Sequence, residues 1–316
     1  KVTGYPFWNT SKFTLKTLLN DADNLEQNLS RYVQKFAPAA REVIEAYDFY
    51  NVIERLDKAD LLYHVLSEFT SPKVNLHPDV VSNTQMGYIF EELIRRFSEL
   101  SNETAGEHFT PREVISLMVN ILFNPEEDFN RLCAGGAMAS LYDPGAGTGG
   151  MLSIASQHIK DLDDTARLEV YGQELNPQTY AVAKSDIMIK GERQERIYFG
   201  NSLTNDQTAG RRFDYMLCNP PFGVNWKKYA DPILEEEERQ GWQGRFGAGT
   251  PRKSDGSFLF LQHMISKMKP YDPQDPVNAP GTRIAIVFNG SPLFTGGAGQ
   301  GESEIRRWIL ENDWLE

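Results

Sequence analysis

Ala139-Ser140-Leu141-Tyr142-Asp143-Pro144-Gly145-Ala146-Gly147-Thr148-Gly149-Gly150 reads as an apolar strand, a glycine-rich turn and the start of a helix. Glycine permits backbone angles and close ligand approach that other residues resist, and a helix N-terminus offers free N–H groups. The helix expected here runs over 149–158, and the following strand, over 168–172, leads to Glu174. A carboxylate at that strand end can accept hydrogen bonds from both hydroxyls of a ribose. A glycine-rich turn alone also serves simply to close a strand-to-helix connection. With the strand, the helix and the acid in place, the pattern points to a nucleoside ligand.

Outward from this turn, strands are expected over 139–143, 168–172, 196–199, 213–219 and 283–288, with helices over 149–158, 177–190 and 256–268. Alternation of this kind specifies an α/β fold with a parallel sheet and crossover helices. Pro111 suits the first turn of a further helix ending near 122, with Thr110 as its N-cap. Residues 223–255 are polar and glycine-rich without periodicity, which predicts a long loop, and 271–281 read as a proline-rich connector. From 11 to 100 the apolar residues recur at helical spacing, most clearly at Ile89, Phe90, Leu93, Ile94 and Phe97 in a helix over 84–100. Helix breaks are expected at Ala37-Pro38, Thr70-Ser71-Pro72 and His77-Pro78. The predicted organisation is a helical domain over 1–100 and an α/β domain over 101–316, divided within Ser101-Asn102-Glu103-Thr104-Ala105-Gly106.

With 40% hydrophobic and 24% charged residues in 316, the composition is that of a soluble globular protein. No apolar run approaches the ~18 to 20 residues of a membrane span. Cys133 and Cys218 form no CxxC pair, and the five histidines lack ligand spacing, so neither a disulfide framework nor a metal site is expected. A cytoplasmic location is expected on the same grounds. The opening Lys1-Val2-Thr3-Gly4-Tyr5-Pro6 has neither an initiator Met nor the pattern of a signal peptide, and reads as a cut into a longer protein. A net charge of −12 opposes a broad nucleic-acid surface, because phosphate binding is driven by clustered Lys and Arg. Any such contact must be small and local, or be carried by another subunit.

Phe213-Asp214-Tyr215-Met216-Leu217-Cys218 reads as a buried strand that runs into Asn219-Pro220-Pro221-Phe222. In open α/β sheets ligands bind beyond the carboxyl ends of strands, so this turn is where chemistry is expected. The Asn219 side-chain oxygen and the Pro220 carbonyl are two acceptors able to grip both hydrogens of one amino group. The amine of adenine delocalises its lone pair into the ring, and two acceptors draw that density back to nitrogen. Methyl transfer from a sulfonium then needs positioning and electrostatics rather than a covalent nucleophile. Phe222 offers a face for a base extruded from a duplex. Asp143 suits the ammonium of S-adenosylmethionine, although a nicotinamide dinucleotide is the usual owner of a G-x-G-x-x-G turn. The plainer alternative is a rigid Asn-Pro-Pro turn with Phe222 in the core; Cys218 reads as a small core residue.

These motifs resemble the gamma-order amino-methyltransferases, in which the cofactor motif precedes Asn/Asp-Pro-Pro-Tyr/Phe. More narrowly, the chain resembles the modification (M) subunit of Type I restriction-modification systems. The match rests on Met86-Gly87-Tyr88-Ile89-Phe90-Glu91-Glu92-Leu93-Ile94, on Gly106-Glu107-His108-Phe109-Thr110-Pro111-Arg112-Glu113-Val114, and on the two turns above. Arg283-Ile284-Ala285-Ile286-Val287 followed by Gly290 and Leu293-Phe294 extends it. The resemblance implies a Rossmann-like S-adenosylmethionine-dependent domain behind an all-α domain, and site-specific N6-adenine methylation of double-stranded DNA. It implies that His108, Phe109 and Thr110 flank the cofactor, with Thr110 near the methionine carboxylate. Asp143, Gly145 and Gly147 would surround the methionine part, with Thr148 and Gly149 also at the cofactor, Glu174 at the ribose, and Asn201, where many relatives carry Asp, at the adenine. Asn219, Pro220, Pro221 and Phe222 would act on the target base.

The implied partners are a specificity (S) subunit that reads the DNA sequence, a restriction or motor (R) subunit, and a second copy of M. That division of labour reconciles the acidic charge with a DNA substrate, leaving Lys227, Lys228, Arg245, Arg252 and Lys253 as expected local contacts. The family has helical sequence ahead of this chain and more sheet after it, so a fragment or a joining of ordered parts is expected. The rival readings are methylation of a protein or RNA amine by the same turn, an NAD-dependent oxidoreductase, and a scaffold without catalysis.

Overall fold

The computed structural model describes residues 7–77, 79–81, 110–123, 138–163, 165–190, 196–275, 279–290 and 293–315, with Gln85, Met86, Tyr88, Ile89, Glu92, Leu93 and Arg96. Those seven positions have helical backbone; the rest of the helix expected over 84–100 lies outside the described residues, as do His108, Phe109 and Cys133. The chain forms two compact units, one of Lys1–Ser101 with Pro177–Gln194, the other of Asn102–Asn176 with Glu195–Glu316.

In the first unit, α1 (Leu15–Leu18) is opened by a reciprocal cap, Thr17 N–H on Thr14 Oγ1 and Thr14 N–H on Thr17 Oγ1. It is followed by α2 (Leu25–Gln34), α3 (Pro38–Ala46), α4 (Phe49–Lys58) and α5 (Leu62–Phe69). Their apolar stripes bring Leu18, Leu25, Leu29, Val33, Ile53, Leu62 and Leu66 into one core. Each such side chain contributes roughly 1.5–3 kcal/mol on burial. Pro38 occupies the first turn of α3, as expected of that residue. Two breaks carry no proline: Asp48 and Asp60 both adopt φ 55°, the left-handed region that Asp tolerates better than most residues.

The second unit contains α6 (Arg112–Phe123), β1 (Met138–Asp143), α7 (Gly150–Leu162) and β2 (Arg167–Glu174). The chain then passes through α8 (Pro177–Ile189), which groups with the first unit. There Lys184 Nζ pairs with Glu42 at 2.6 Å, and Met188 packs on Ala40 and Val43. The second unit resumes with β3 (Ile197–Phe199), β4 (Tyr215–Cys218), α9 (Ala230–Gln240), α10 (Ser257–Ile265), β5 (Arg283–Ile286) and α11 (Glu302–Glu311).

The five strands form one parallel sheet in the order β3-β2-β1-β4-β5, so the α/β expectation is borne out. Tyr215-Met216-Leu217-Cys218 is buried at every position, as a strand covered on both faces must be. The Phe123 ring of α6 lies 4.6 Å from that of Tyr215, while Tyr142 of β1 stacks on Phe213 at 4.6 Å. The chain proceeds from β1 to β2 and β3 on one side, then returns to place β4 and β5 on the other. The reversal between β1 and β4 is the topological switch point, where a crevice opens at the carboxyl ends of the strands.

One expectation is corrected. Residues 223–255 are not a structureless loop: they hold α9 and short 3₁₀ turns at Lys227–Tyr229 and Gly241–Gln243. Trp226, Ala230, Ile233 and Phe246 form a small core with Leu203 and Leu259. The apolar face of α9 is narrow and sits beside four consecutive glutamates, so its helical period is faint in the sequence.

Gly172 in β2 is held small by packing, since a Cβ there would meet Leu152 Cδ1 at 2.9 Å, Ala146 Cβ at 3.0 Å and Ile197 Cδ1 at 3.2 Å. Gly172→Ala is expected to destabilise the second unit by about 1–3 kcal/mol, measured by urea denaturation; an unchanged midpoint would refute the overpacking argument.

Candidate active site

Side chains at three strand ends share one habit, in which an oxygen turns back to accept the N–H two residues on. Asp143 Oδ1 accepts from Gly145 N at 3.0 Å, Glu174 Oε1 from Asn176 N at 2.6 Å, and Asn201 Oδ1 from Leu203 N at 2.9 Å. Such turns satisfy the backbone where the ladder ends. Asn219, at the end of β4, has no such option. The residue two places on is Pro221, and proline has no N–H. Asn219 Oδ1 is left buried and without a hydrogen-bond partner. Its amide nitrogen is held, donating to Thr110 Oγ1 at 2.9 Å, which fixes the orientation of the oxygen.

An unpaired buried acceptor costs about 1–3 kcal/mol, a cost that a donor entering at this strand end would recover. Pro220 is buried, Pro221 is exposed and Phe222 is half-buried.

The glycine turn is stitched to its neighbours. Ala146 N–H donates to the Gln173 carbonyl at 3.0 Å, Gly147 N–H to Glu174 Oε2 at 2.8 Å, and Ser202 Oγ to the Pro144 carbonyl at 2.5 Å. Gly147 and Gly149 have φ of 53° and 81°, conformations that a side chain would strain. Both carboxylate oxygens of Glu174 thus organise backbone, yet each retains a lone pair for a hydroxyl. These features fit a nucleoside with a cationic tail: a cradle closed to side chains, a strand-end acid and a second acid, Asp143, beneath the turn.

Asp143 is 1% exposed. Burial pushes its carboxyl up to about 7; the Gly145 N–H opposes the shift and the neighbouring Glu174 charge adds to it. Its ionisation in the folded state is therefore disfavoured, and stability falls as pH rises from the ordinary carboxyl range towards 7. A ligand cation beside it would reverse that preference. Burial also pushes the Cys218 thiol up, with Asp143 contributing, so Cys218 is a packed core residue and no nucleophile.

The fold pairs Thr110 with Asn219, Asp143 with Gly145 and Gly147 with Glu174; Gly149 N–H closes the same glycine turn onto the Ala146 carbonyl at 2.8 Å, and Asn201 adjoins Ser202. Thr110 Oγ1 accepts from the Asn219 amide. Of the cations expected to meet DNA, Arg245 is excluded. Its guanidinium is spent on Glu236, His263 and the Ser202 and Leu203 carbonyls. Arg252 is drawn to Asp255 and Glu302, whereas Lys227, Lys228 and Lys253 are exposed. Ser202 and His263 were not foreseen as part of this region, and Arg245 was expected only as a DNA contact, since no spacing links residues on separate elements.

A family model for N-6 DNA methylases matches residues 81–316. The chain is 26% identical over 287 residues to the Type I restriction enzyme HindI methylase subunit of Haemophilus influenzae, covering 90% of this chain and 58% of that protein. It is 30% identical to the EcoEI methylase subunit of Escherichia coli over 71% of this chain and 40% of that protein. The chain thus spans about half the length of these curated relatives. The crystal structure of a Type I restriction-modification methyltransferase subunit from Streptococcus thermophilus superposes with a TM-score of 0.71 at 24% identity, covering 98% of this chain and 61% of that one. Among the described residues no helix is long and apolar enough to cross a membrane. With the matching model covering most of its length, including both turns of the site, the chain belongs to the N-6 DNA methylase family.

Proposed function

We propose that the chain carries the methyl-transferring part of a Type I modification subunit, which methylates N6 of an extruded adenine in double-stranded DNA with S-adenosylmethionine as donor. The observation that carries this reading is the buried, partnerless Asn219 Oδ1 at the end of β4. A planar amine supplies the N–H it lacks, and the Pro220 carbonyl supplies the second acceptor. Thr110 holds the Asn219 amide so that its oxygen faces the amine. Phe222 stacks on the base, and Glu174, Asn201 and Asp143 hold ribose, adenine and ammonium of the cofactor in turn. When bound, the cofactor supplies a methyl carbon on a sulfonium, an electrophile that an amine nitrogen displaces directly.

Few phosphate contacts belong to this chain, consistent with its charge of −12. Lys227, Lys228 and Lys253 serve as local ones. A specificity subunit selects the DNA sequence, and a motor subunit and a second modification subunit complete the assembly.

Three outcomes are expected. S-adenosylmethionine, and not NAD, raises the melting temperature of the chain, and Asn219→Ala keeps that shift while losing methyl transfer to adenine, scored by sequencing for modified bases in DNA from cells expressing all subunits. Methyl transfer retained by Asn219→Ala, or a shift given by NAD alone, would sink the reading. Pro221→Ala returns an N–H to the position that can satisfy Asn219 Oδ1, so turnover drops about tenfold with cofactor affinity kept; undiminished turnover refutes the role of the missing N–H. Because Asp143 titrates near 7, protonation competes with ligand ammonium, so cofactor Kd is about tenfold weaker at pH 6 than at pH 8. Calorimetry at both pH values checks this, and Asp143→Asn removes the dependence.

A further inference from the structure

We propose that Arg245, clamped by Glu236, is the positioning residue for the adenosine end of the cofactor site, tying the segment after the catalytic turn to cofactor binding. The inference rests on the reading of Asn201 as the adenine contact.

A guanidinium has five N–H donors, and all of Arg245's are occupied. Nε donates to Glu236 Oε1 and Oε2 at 3.0 and 3.1 Å, and Nη2 to Glu236 Oε2 at 2.5 Å. Nη2 also donates to the Leu203 carbonyl at 2.8 Å, while Nη1 donates to the Ser202 carbonyl at 3.0 Å and meets His263 Nδ1 at 3.0 Å. The Arg245 and Glu236 side chains are 18% and 14% exposed, so the pair is screened from water.

Arginine only donates, which fixes the state of His263. Its Nδ1 must accept, so Nε2 carries the hydrogen and donates to Tyr142 Oη at 3.2 Å. A neutral ring is what burial enforces, and the Lys267 and Arg245 charges reinforce it, pushing the imidazole down to about 3. Tyr142 lies in β1, directly before Asp143.

Arg245 therefore grips the carbonyls of Ser202 and Leu203 from one side while Ser202 Oγ pins the same stretch to Pro144 of the glycine turn. The residue so framed is Asn201, whose own oxygen is turned onto Leu203 N–H. Glu236, the anchor, lies on α9, within the segment that follows Phe222. Lysine carries the same charge but has no planar fork to hold a carboxylate and two carbonyls together.

The test uses the full chain and S-adenosylhomocysteine as the calorimetric probe. Arg245→Lys is expected to raise its Kd about tenfold, and Glu236→Gln, which keeps the guanidinium and loosens its anchor, to raise it by a smaller factor. In steady state, the loss falls on KM for S-adenosylmethionine rather than on kcat, a split that a general loss of folded enzyme does not produce. Should Arg245→Lys fail to fold, Glu236→Gln carries the test. Kd values within about twofold of wild type in the folded variants would overturn the positioning role. A wild-type chain that fails to bind the probe would instead overturn the cofactor reading on which the proposal stands.

Discussion

Pairing of β4 with β1, rather than with β3, is the constraint from which the site follows. The register Leu141↔Tyr215 and Tyr142↔Met216 brings the carboxyl ends of these two strands side by side, although 70-odd residues separate them in sequence. Parallel strands satisfy one another along their length and leave their last residues to be satisfied by turns. Whatever chemistry the turns carry is thereby focused at one edge of the sheet. The crossover rule makes the reversal of strand order a crevice, and both informative turns open into it.

Within that crevice the missing N–H of proline does the selecting. Asp143, Glu174 and Asn201 each bend an oxygen back to a backbone donor two residues on, so their turns are closed. Asn219 faces Pro221 at the equivalent place, and its oxygen remains buried and unpaired while Thr110 holds its nitrogen. A low-dielectric setting makes such an acceptor costly to leave empty and strong when filled. Pre-orientation of this kind is what a reaction limited by positioning requires.

The glycine turn, the strand-end acid and the Asn-Pro-Pro-Phe turn were legible in the chain because each is a local pattern of a few residues. Strand positions were legible for a related reason: a strand buried on both faces, such as Tyr215–Cys218, must be apolar throughout. The segment after the Asn-Pro-Pro-Phe turn was not, because α9 meets its small core through a narrow face flanked by glutamates. Breaks at Asp48 and Asp60 were missed because a left-handed Asp leaves no trace as plain as proline.

What the sequence alone determined is the alternation of strand and helix, the positions of both turns and the net acidic charge. Those are properties of short windows, or of the chain summed. Only the tertiary structure decided that Thr110 holds Asn219, that Arg245 is spent on Glu236 and two carbonyls rather than free for phosphate, and that Asp143 is buried deeply enough to titrate near 7. Hydrogen-bond satisfaction and desolvation depend on which distant groups share a volume, and no spacing along a chain encodes that.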